Sequence, residues 1–196
     1  MSKRSSAALD KSDVQVISEQ LLIIIRNLLL TGRNKMKVTV IAAGKIKEKY
    51  FTDAVREYEK RLSRYVTLSI EEVMDEPTPE NASDADKARI LNREGERFCR
   101  ILDRYPGAYV IALAIEGKTL DSVALSRHLN DLQVHGISHL IFVIGGSLGL
   151  SPQVLNRSHE KLSFSRLTFP HQLMRVILLE QIYRSERIAR GEPYHK

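Results

Sequence analysis

A strongly apolar segment and a glycine-rich turn meet at residues 140–149, which read LIFVIGGSLG. Five consecutive apolar residues are typical of a strand that is covered on both faces, as in a parallel sheet. The glycines that follow allow positive φ and close approach of a ligand to the backbone. Turns after the carboxyl ends of parallel strands form the binding crevice of many α/β proteins. The spacing matches neither GxGxxG nor a Walker A loop, so a purely structural turn is an equally good interpretation.

Strand-like and helix-like segments alternate on both sides of this turn. Apolar runs predict strands at 38–43, 66–73, 109–115, 140–144 and within 162–169. Helical spacing and capping residues predict helices at 48–65, 83–103, 121–134, a short one from Ser151-Pro152, and a last one from Pro170 to about Arg190. A turn is expected at 116–118. This alternation predicts one α/β domain over residues 36–196, with a mostly parallel sheet flanked by helices.

The last predicted helix carries apolar residues in nearly every direction. They are Leu173, Met174, Val176, Ile177, Leu178, Leu179, Ile182 and Tyr183. A helix that is apolar all round must be covered on more than one side. We expect one side to pack on the sheet of its own chain and another on a second copy of the chain. Complete burial within one chain is the alternative.

Composition permits a nucleic-acid partner but does not require one. The formal net charge is +6, and residues 36–196 keep only +3, because residues 1–35 carry six basic and three acidic side chains. A mildly basic body is compatible with RNA binding. The single cysteine, Cys99, excludes an internal disulfide framework and indicates a reducing, cytoplasmic location.

Residues 1–35 differ from the rest of the chain. Residues 14–30, VQVISEQLLIIIRNLLL, are apolar but interrupted by Glu19 and Arg26, so we do not expect them to span a membrane. No small-residue cleavage pattern follows, which argues against a signal peptide. Because Met36 opens a clean strand, we interpret residues 1–35 as an over-extended gene start, with an accessory amphipathic helix as the alternative. Sequencing the amino terminus of the native protein distinguishes the two.

A second candidate motif, FPHQLMR, occupies residues 169–175. His171 and Arg175 are four residues apart and therefore share one face of the last helix. Near a helix N-terminus, free backbone N–H groups would add to these side chains to attract an anion. An exposed charged face fits the pattern equally well. We predict no metal site, because the remaining internal histidines lack suitable cysteine or carboxylate spacing; they are His128, His135, His139 and His159.

Together these segments resemble one family closely. The matching motifs are MKVTVIAAGKIKEKYF at 36–51, IEGK at 115–118, VIGGSLGLS at 143–151, LSFSRLTFPHQLMRVILLEQIYR at 162–184 and the terminal PYHK. They resemble the SPOUT superfamily of RNA methyltransferases, and within it the small enzymes that modify a pseudouridine of large-subunit ribosomal RNA. The resemblance runs through residues 36–196 in order and leaves residues 1–35 outside.

The resemblance implies an activity, a fold and partners. The activity is transfer of a methyl group from S-adenosylmethionine to N3 of a pseudouridine in 23S ribosomal RNA, without a metal. The fold is a parallel α/β sandwich whose C-terminal segment forms a trefoil knot, which chain physics alone would not predict. The implied partners are a second copy of the chain, in a homodimer, and the RNA within the assembled ribosome, with no membrane involved.

The resemblance also implies the site residues. The cofactor contacts would be Leu113, Gly145, Phe164, Ser165, Arg166, Leu167, Thr168 and Phe169. The catalytic candidates would be His171, Arg175, Tyr194 and His195. Arg175 would anchor phosphate or stabilise developing charge, and Tyr194 or His195 would position or deprotonate the base. Lys196 stands where some relatives carry arginine, so it keeps the charge but lacks the bidentate fork.

Two other functions fit parts of the sequence. A non-catalytic RNA-binding module would share the mild basic charge but would leave the glycine turn without a purpose. A flavodoxin-like flavin or nucleotide binder is allowed by the alternation of strands and helices. Binding of S-adenosylmethionine tests the first alternative, and flavin absorbance of the purified protein tests the second.

Overall fold

Strands and helices alternate strictly through residues 35–194, the range that the computed structural model describes. The strands are β1 (Met36–Ala43), β2 (Val66–Val73), β3 (Tyr109–Thr119), β4 (His139–Ile144) and β5 (Glu160–Ser163). The helices are α1 (Lys49–Leu62), α2 (Asp84–Leu102), α3 (Ser122–Val134), α4 (Pro152–Arg157) and α5 (His171–Ala189). The predicted order of elements is confirmed. The interpretations of residues 1–34, His195 and Lys196 lie outside the described residues.

All five strands pair in parallel, in the order β2-β1-β4-β3-β5. This confirms the predicted α/β sheet. A flavodoxin-like sheet has the order 2-1-3-4-5, so the exchange of β3 and β4 separates this chain from that architecture. The trefoil knot stays a prediction of the resemblance. Within residues 35–194, no helix is long and apolar enough to cross a bilayer.

Alternate residues of the central strands pack into two separate hydrophobic cores, one on each face of the sheet. On one face, Val40 and Phe142 pack in a cluster that includes Leu178 of α5. On the other face, Ile41 and Val143 pack with Phe98 of α2 and with residues of α4. Because side chains alternate along a strand, a strand with helices on both faces must be apolar at every position. This is why the run at 140–144 carries no polar residue.

Side-chain caps start three of the helices where the sequence predicts them. Ser83 accepts a hydrogen bond from the backbone N–H of Asp86 at 3.2 Å, and the Asp86 carboxylate accepts one from the N–H of Ser83 in return. Asp121 caps α3, and Ser151 caps α4 ahead of Pro152. Each such cap stabilises its helix by about 1 kcal/mol.

The turn predicted at 116–118 is wrong, because β3 continues to Thr119. Both Leu113 and Lys118 pair with Leu162 of β5, and the residues between them form a bulge. Gly117 lies so close to β5 that an added Cβ would stand 2.6 Å from the carbonyl carbon of Leu162. A glycine inside a strand permits such close backbone approach. The bulge turns residues 114–116 toward the carboxyl edge of the sheet.

Helix α5 lies between α1 and α3 on one face of the sheet. Its buried residues include Leu178, Leu179 and Ile182, so its own chain covers both flanks. A second stripe, which includes Leu173 and Ile177, is half-buried. The expected second copy is therefore not needed to explain the flanks of α5, and the dimer stays a prediction.

The close approach at Gly117 predicts a large loss of stability in Gly117→Ala. The new methyl group would meet backbone atoms of Leu162, which cannot rotate away, so we expect a loss of about 3 kcal/mol in the free energy of unfolding. Gly107→Ala is the control, because Gly107 has a φ of +84° but open space around it, and should lose only about 1 kcal/mol. Urea denaturation measures both. Equal losses would show that β5 does not press on Gly117.

Candidate active site

A cleft of about 460 Å³ opens at the carboxyl edge of the sheet. Three segments form its walls: the β3 bulge at 114–116, the glycine turn at 145–149 after β4, and the loop at 163–169 after β5. His171 and Met174 of α5 close one end. This volume lies within the roughly 300–1,000 Å³ of small-molecule sites. The edge is also where parallel sheets bind their ligands.

The glycine turn folds back on itself more tightly than other residues would allow. An added Cβ on Gly145 would stand 2.4 Å from the carbonyl carbon and oxygen of Gly149. Gly149 adopts a φ of +81° and donates a backbone hydrogen bond to the carbonyl of Gly146 at 3.1 Å. The turn therefore presents backbone to the cleft, where side chains would otherwise fill the space.

The loop after β5 is held by its serines. The Ser163 hydroxyl donates to the carbonyl of Ser165 at 3.0 Å, and the Ser165 hydroxyl accepts from the N–H of Leu167 at 2.9 Å. Leu167 lines the cleft although 69% of its surface is exposed, which leaves this wall open to solvent. Arg166 is exposed and does not line the cleft.

The structure thus brings most of the predicted cofactor residues into one cleft. These are Leu113, Gly145, Phe164, Ser165, Leu167, Thr168 and Phe169. Ala114, Ile115 and Glu116 also line the cleft but were not among the predicted site residues, because the sequence predicts a strand that ends at Ile115 and a turn at 116–118 where β3 instead forms a bulge. The glycine inside an otherwise strand-like segment was the available signal, since an isolated glycine there suggests a bulge.

His171 lies at the first turn of α5 and faces the cleft. Its Nε2 atom is 3.0 Å from the position that a Cβ of Gly44 would occupy, and the Asp75 carboxylate lies on the same side of Gly44. Desolvation lowers the pKa of His171, and the charge of Arg175 lowers it further, while Asp75 opposes the shift. The imidazole is therefore neutral at pH 7 and able to accept a proton.

The Arg175 side chain is fully buried and has lost all contact with solvent. Its guanidinium donates to Oε1 of Glu72 at 2.8 Å and to the carbonyl of Ala43 at 2.9 Å, and it also bonds the carbonyl of Gly44. These contacts join α5 to the carboxyl ends of β1 and β2. The guanidinium faces the protein interior, an arrangement that favours positioning α5 over direct contact with a phosphate.

Tyr194 packs on the outer side of α5, away from the cleft of its own chain. Its hydroxyl donates to Oε1 of Glu180 at 3.2 Å, and the Arg184 guanidinium lies 4.8 Å from its ring centroid. Glu180 is nine residues beyond His171, or about 13 Å along the helix axis. Burial raises the pKa of Tyr194 to about 12, so its phenol is a hydrogen-bond donor at pH 7. The second tail candidate, His195, lies outside the described residues.

All four remaining internal histidines have structural contacts, and that of His135 is a hydrogen bond between its Nδ1 atom and the Asp131 carbonyl at 2.7 Å. His128 pairs with Glu160 at 2.7 Å, and His139 hydrogen-bonds the Thr39 hydroxyl at 2.9 Å. The Nδ1 atom of His159 accepts from the N–H of Val110 at 3.0 Å. In the described part of the chain, histidine, cysteine and carboxylate side chains form no group that could hold a metal.

The chain is similar in sequence to a known family of proteins. Residues 36–195 match the family model described as predicted SPOUT methyltransferase. A relative from Methanococcus vannielii is 59% identical over 161 residues, which span 82% of this chain and all of the relative. Relatives from Bifidobacterium adolescentis and Bifidobacterium animalis, both named ribosomal RNA large subunit methyltransferase H, are 58% and 55% identical over the same shares.

The burial of Arg175 predicts a large effect of Arg175→Met on stability. Removing the guanidinium leaves two buried backbone carbonyls without this donor and leaves the Glu72 carboxylate with only the N–H of Ile46, so we expect a loss of about 3 kcal/mol in unfolding free energy. Arg184→Met on the outer side of α5 is the matched control and should lose about 1 kcal/mol, since its pair with Glu180 keeps partial contact with water. Denaturant titration compares the two. A loss at Arg175 no larger than that at Arg184 would contradict the anchoring role.

Proposed function

We propose a reaction for this chain, which belongs to the SPOUT methyltransferase family. It methylates N3 of a pseudouridine in large-subunit ribosomal RNA with S-adenosylmethionine as the donor. The observation that carries the proposal is the cleft formed by the glycine turn and the loop after β5. The names of the relatives indicate the ribosomal RNA of the large subunit as the substrate. The position N3 and the pseudouridine rest on the motif resemblance.

The residues of the cleft fit S-adenosylmethionine. Leu113, Leu162 and Phe164 offer apolar surface for an adenine ring, and the backbone of the glycine turn can bond the edge of the ring. Gly145 lets the turn fold against Gly149, because an added Cβ would stand 2.4 Å from the Gly149 carbonyl. Glu116 supplies a carboxylate at the cleft that could accept hydrogen bonds from hydroxyl or amino groups. No metal is proposed for this reaction.

The protein has two tasks in this chemistry. S-adenosylmethionine supplies a methyl group on a positively charged sulfur, which is already an activated donor. The chain must align N3 with that methyl group and remove the N3 proton. We propose that the neutral imidazole of His171 receives this proton, because it faces the cleft and its pKa is lowered.

Arg175 acts as a positioning residue in this proposal. It lies one helical turn after His171 and ties α5 to the ends of β1 and β2, so it sets where the imidazole stands. Its charge also lowers the pKa of His171. Anchoring of an RNA phosphate, the role implied by the resemblance, would require the guanidinium to leave its three protein partners.

A homodimer would bring the tail to an active site. Within one chain Tyr194 lies about 13 Å along α5 from the cleft. The half-buried stripe of Leu173 and Ile177 starts beside the cleft and offers apolar surface to a second copy. We propose that the tail of one copy, with Tyr194 and His195, reaches the cleft of the other. Tyr194 would position the base as a hydrogen-bond donor.

The substrate is proposed to be the assembled ribosome in the cytoplasm. Residues 36–196 carry a net charge of only +3, so one copy has little electrostatic grip on a long RNA. Other ribosomal surfaces would then help to place the target. A non-catalytic RNA-binding module is the weaker candidate, because it gives no reason for a cleft lined by a glycine turn.

The decisive experiment measures binding and methyl transfer together. Calorimetry with S-adenosylmethionine should show one site per chain. Radiolabelled methyl transfer should be strongest with ribosomes from cells lacking the enzyme, compared with isolated large subunits and free 23S RNA. No affinity for S-adenosylmethionine, or no transfer to any of the three substrates, would overturn the proposed function.

Two glycine variants test the cleft itself. Gly145→Ala should weaken S-adenosylmethionine binding roughly 10- to 100-fold, because the methyl group forces the turn open at a cost of 1–3 kcal/mol. Gly149→Asn is the control: asparagine tolerates positive φ, and a Cβ at Gly149 meets nothing within 4 Å. Thermal unfolding of both variants checks that each still folds. Equal affinities in the two variants would place the cofactor elsewhere.

The lowered pKa of His171 predicts a characteristic pH profile. As pH falls through the His171 pKa, protonation removes the base, so kcat/KM should decrease below an inflection that lies lower than the ordinary pKa of histidine. His171→Gln should lower kcat roughly 100- to 10,000-fold and abolish the inflection. A wild-type rate that keeps rising tenfold per pH unit above pH 7 would contradict proton transfer to His171.

A further inference from the structure

We infer that Lys45, Lys47 and Arg166 form a cationic rim that holds phosphates of a single-stranded RNA segment beside the cleft. The inference rests on the proposed function, since it states how the RNA substrate of that site is gripped. It goes beyond the residues that line the cleft, none of which is a lysine or an arginine.

The β1–α1 loop, residues 44–48, is fixed against the start of α5. The N–H of Lys47 donates to Oε1 of Gln172 at 2.8 Å, and the N–H of Ile46 donates to Oε1 of Glu72 at 3.3 Å. The backbone of Gly44 lies against His171. The loop is therefore held at the end of the cleft that α5 closes.

Lys45 and Lys47 project from this loop into solvent. Both are exposed, and neither forms an ion pair with another described residue. Lys47 is near enough to His171 for its charge to lower the pKa of the imidazole. The loop beside the proposed base thus carries two free ammonium groups, which are available to an RNA backbone.

Arg166 belongs to a second segment beside the cleft, the loop after β5. Its neighbours Ser165 and Leu167 line the cleft, whereas the Arg166 side chain is exposed and lies outside the lining. No hydrogen bond or ion pair joins it to the rest of residues 35–194. The resemblance implies a cofactor contact at this position, and the side chain's exposure instead favours contact with RNA.

Two of the four carboxylates near the rim are neutralised. Glu72 is bonded to Arg175, and Asp53 is paired with Lys49 at 2.5 Å. Asp75 and the half-buried Glu48 remain. Three free cations against these two carboxylates leave a positive excess at the mouth, which suits phosphates that bridge the two loops.

An exposed aromatic residue adjoins the rim and favours RNA over other polyanions. Tyr50 is 65% exposed, and its ring centroid lies 4.5 Å from that of Phe51. Aromatic rings beside cationic side chains stack the unpaired bases of single strands while the cations hold the phosphates. A base flanking the target pseudouridine is the group that Tyr50 would stack.

Direct RNA binding tests the rim independently of methyl transfer. The probe is a fluorescein-labelled 20-nucleotide single-stranded RNA, titrated by anisotropy at 50–200 mM salt. Lys45→Gln/Lys47→Gln should weaken binding roughly tenfold at 50 mM salt and reduce the slope of log K against log salt by about 1.4. Arg166→Gln should reduce the slope by about 0.7 and leave S-adenosylmethionine affinity within about twofold of wild type.

The control is Lys37→Gln/Lys60→Gln, which removes two exposed charges at the opposite edge of the sheet. It should change the slope much less than the rim variant. Equal changes in the two double variants, or no RNA binding by the wild type at 50 mM salt, would overturn the rim. Weakened cofactor binding without weakened RNA binding in Arg166→Gln would remove Arg166 from it.

Tyr50 is tested by rescue. Tyr50→Ala should weaken binding of the same RNA roughly tenfold, and Tyr50→Phe should restore it, because stacking needs the ring and not the hydroxyl. Failure of the proposed function is a different result: the wild type would transfer no methyl group to ribosomes, while the rim variants could still weaken RNA binding.

Discussion

The buried guanidinium of Arg175 determines where the functional groups of this protein lie. Removing a guanidinium from water costs several kcal/mol unless its donors find partners. Here Glu72 and two backbone carbonyls accept from the two terminal nitrogens, and only Nε is left without a partner. The same Glu72 oxygen also accepts the N–H of Ile46. One ionic contact therefore fixes α5, the end of β1 and the β1–α1 loop relative to each other. The Arg175–Glu72 contact therefore also determines the positions of His171, on α5, and of Lys45 and Lys47, on the β1–α1 loop.

Close backbone contacts shape the walls of the cleft that Arg175 does not reach. Gly117 lets β5 approach β3 beyond the bulge, and Gly145 lets the turn after β4 fold against Gly149. Both contacts are too short for any Cβ. At these two glycines the backbone segments around the cleft are packed as closely as sterics allow. The apolar side chains that line the cleft are packed in the ordinary way. Small changes in sequence at the two glycines should alter its shape more than changes at the walls.

Periodicity and capping predict nearly all of the helices and strands, because those signals are local, but they do not predict the order of the strands in the sheet. The helix starts at Ser83, Asp121 and Ser151 follow from side chains that bond backbone three residues away. The continuation of β3 past Gly117 could not be predicted in this way, since it depends on β5, more than forty residues later. The same limit applies to Arg175: its spacing from His171 predicts a shared face, but only the tertiary structure shows that the face is buried.

The charges near the cleft are divided in a way that suits a cationic donor. A protonated His171 would repel a sulfonium group, and desolvation together with Arg175 keeps the imidazole neutral. The charge of Arg175 is itself neutralised by its ion pair with Glu72. The uncompensated cations, Lys45, Lys47 and Arg166, stand outside the cleft lining in contact with water. There they can meet phosphates without opposing the cofactor, and this separation of charge lets one small domain bind a positive donor and a negative acceptor side by side.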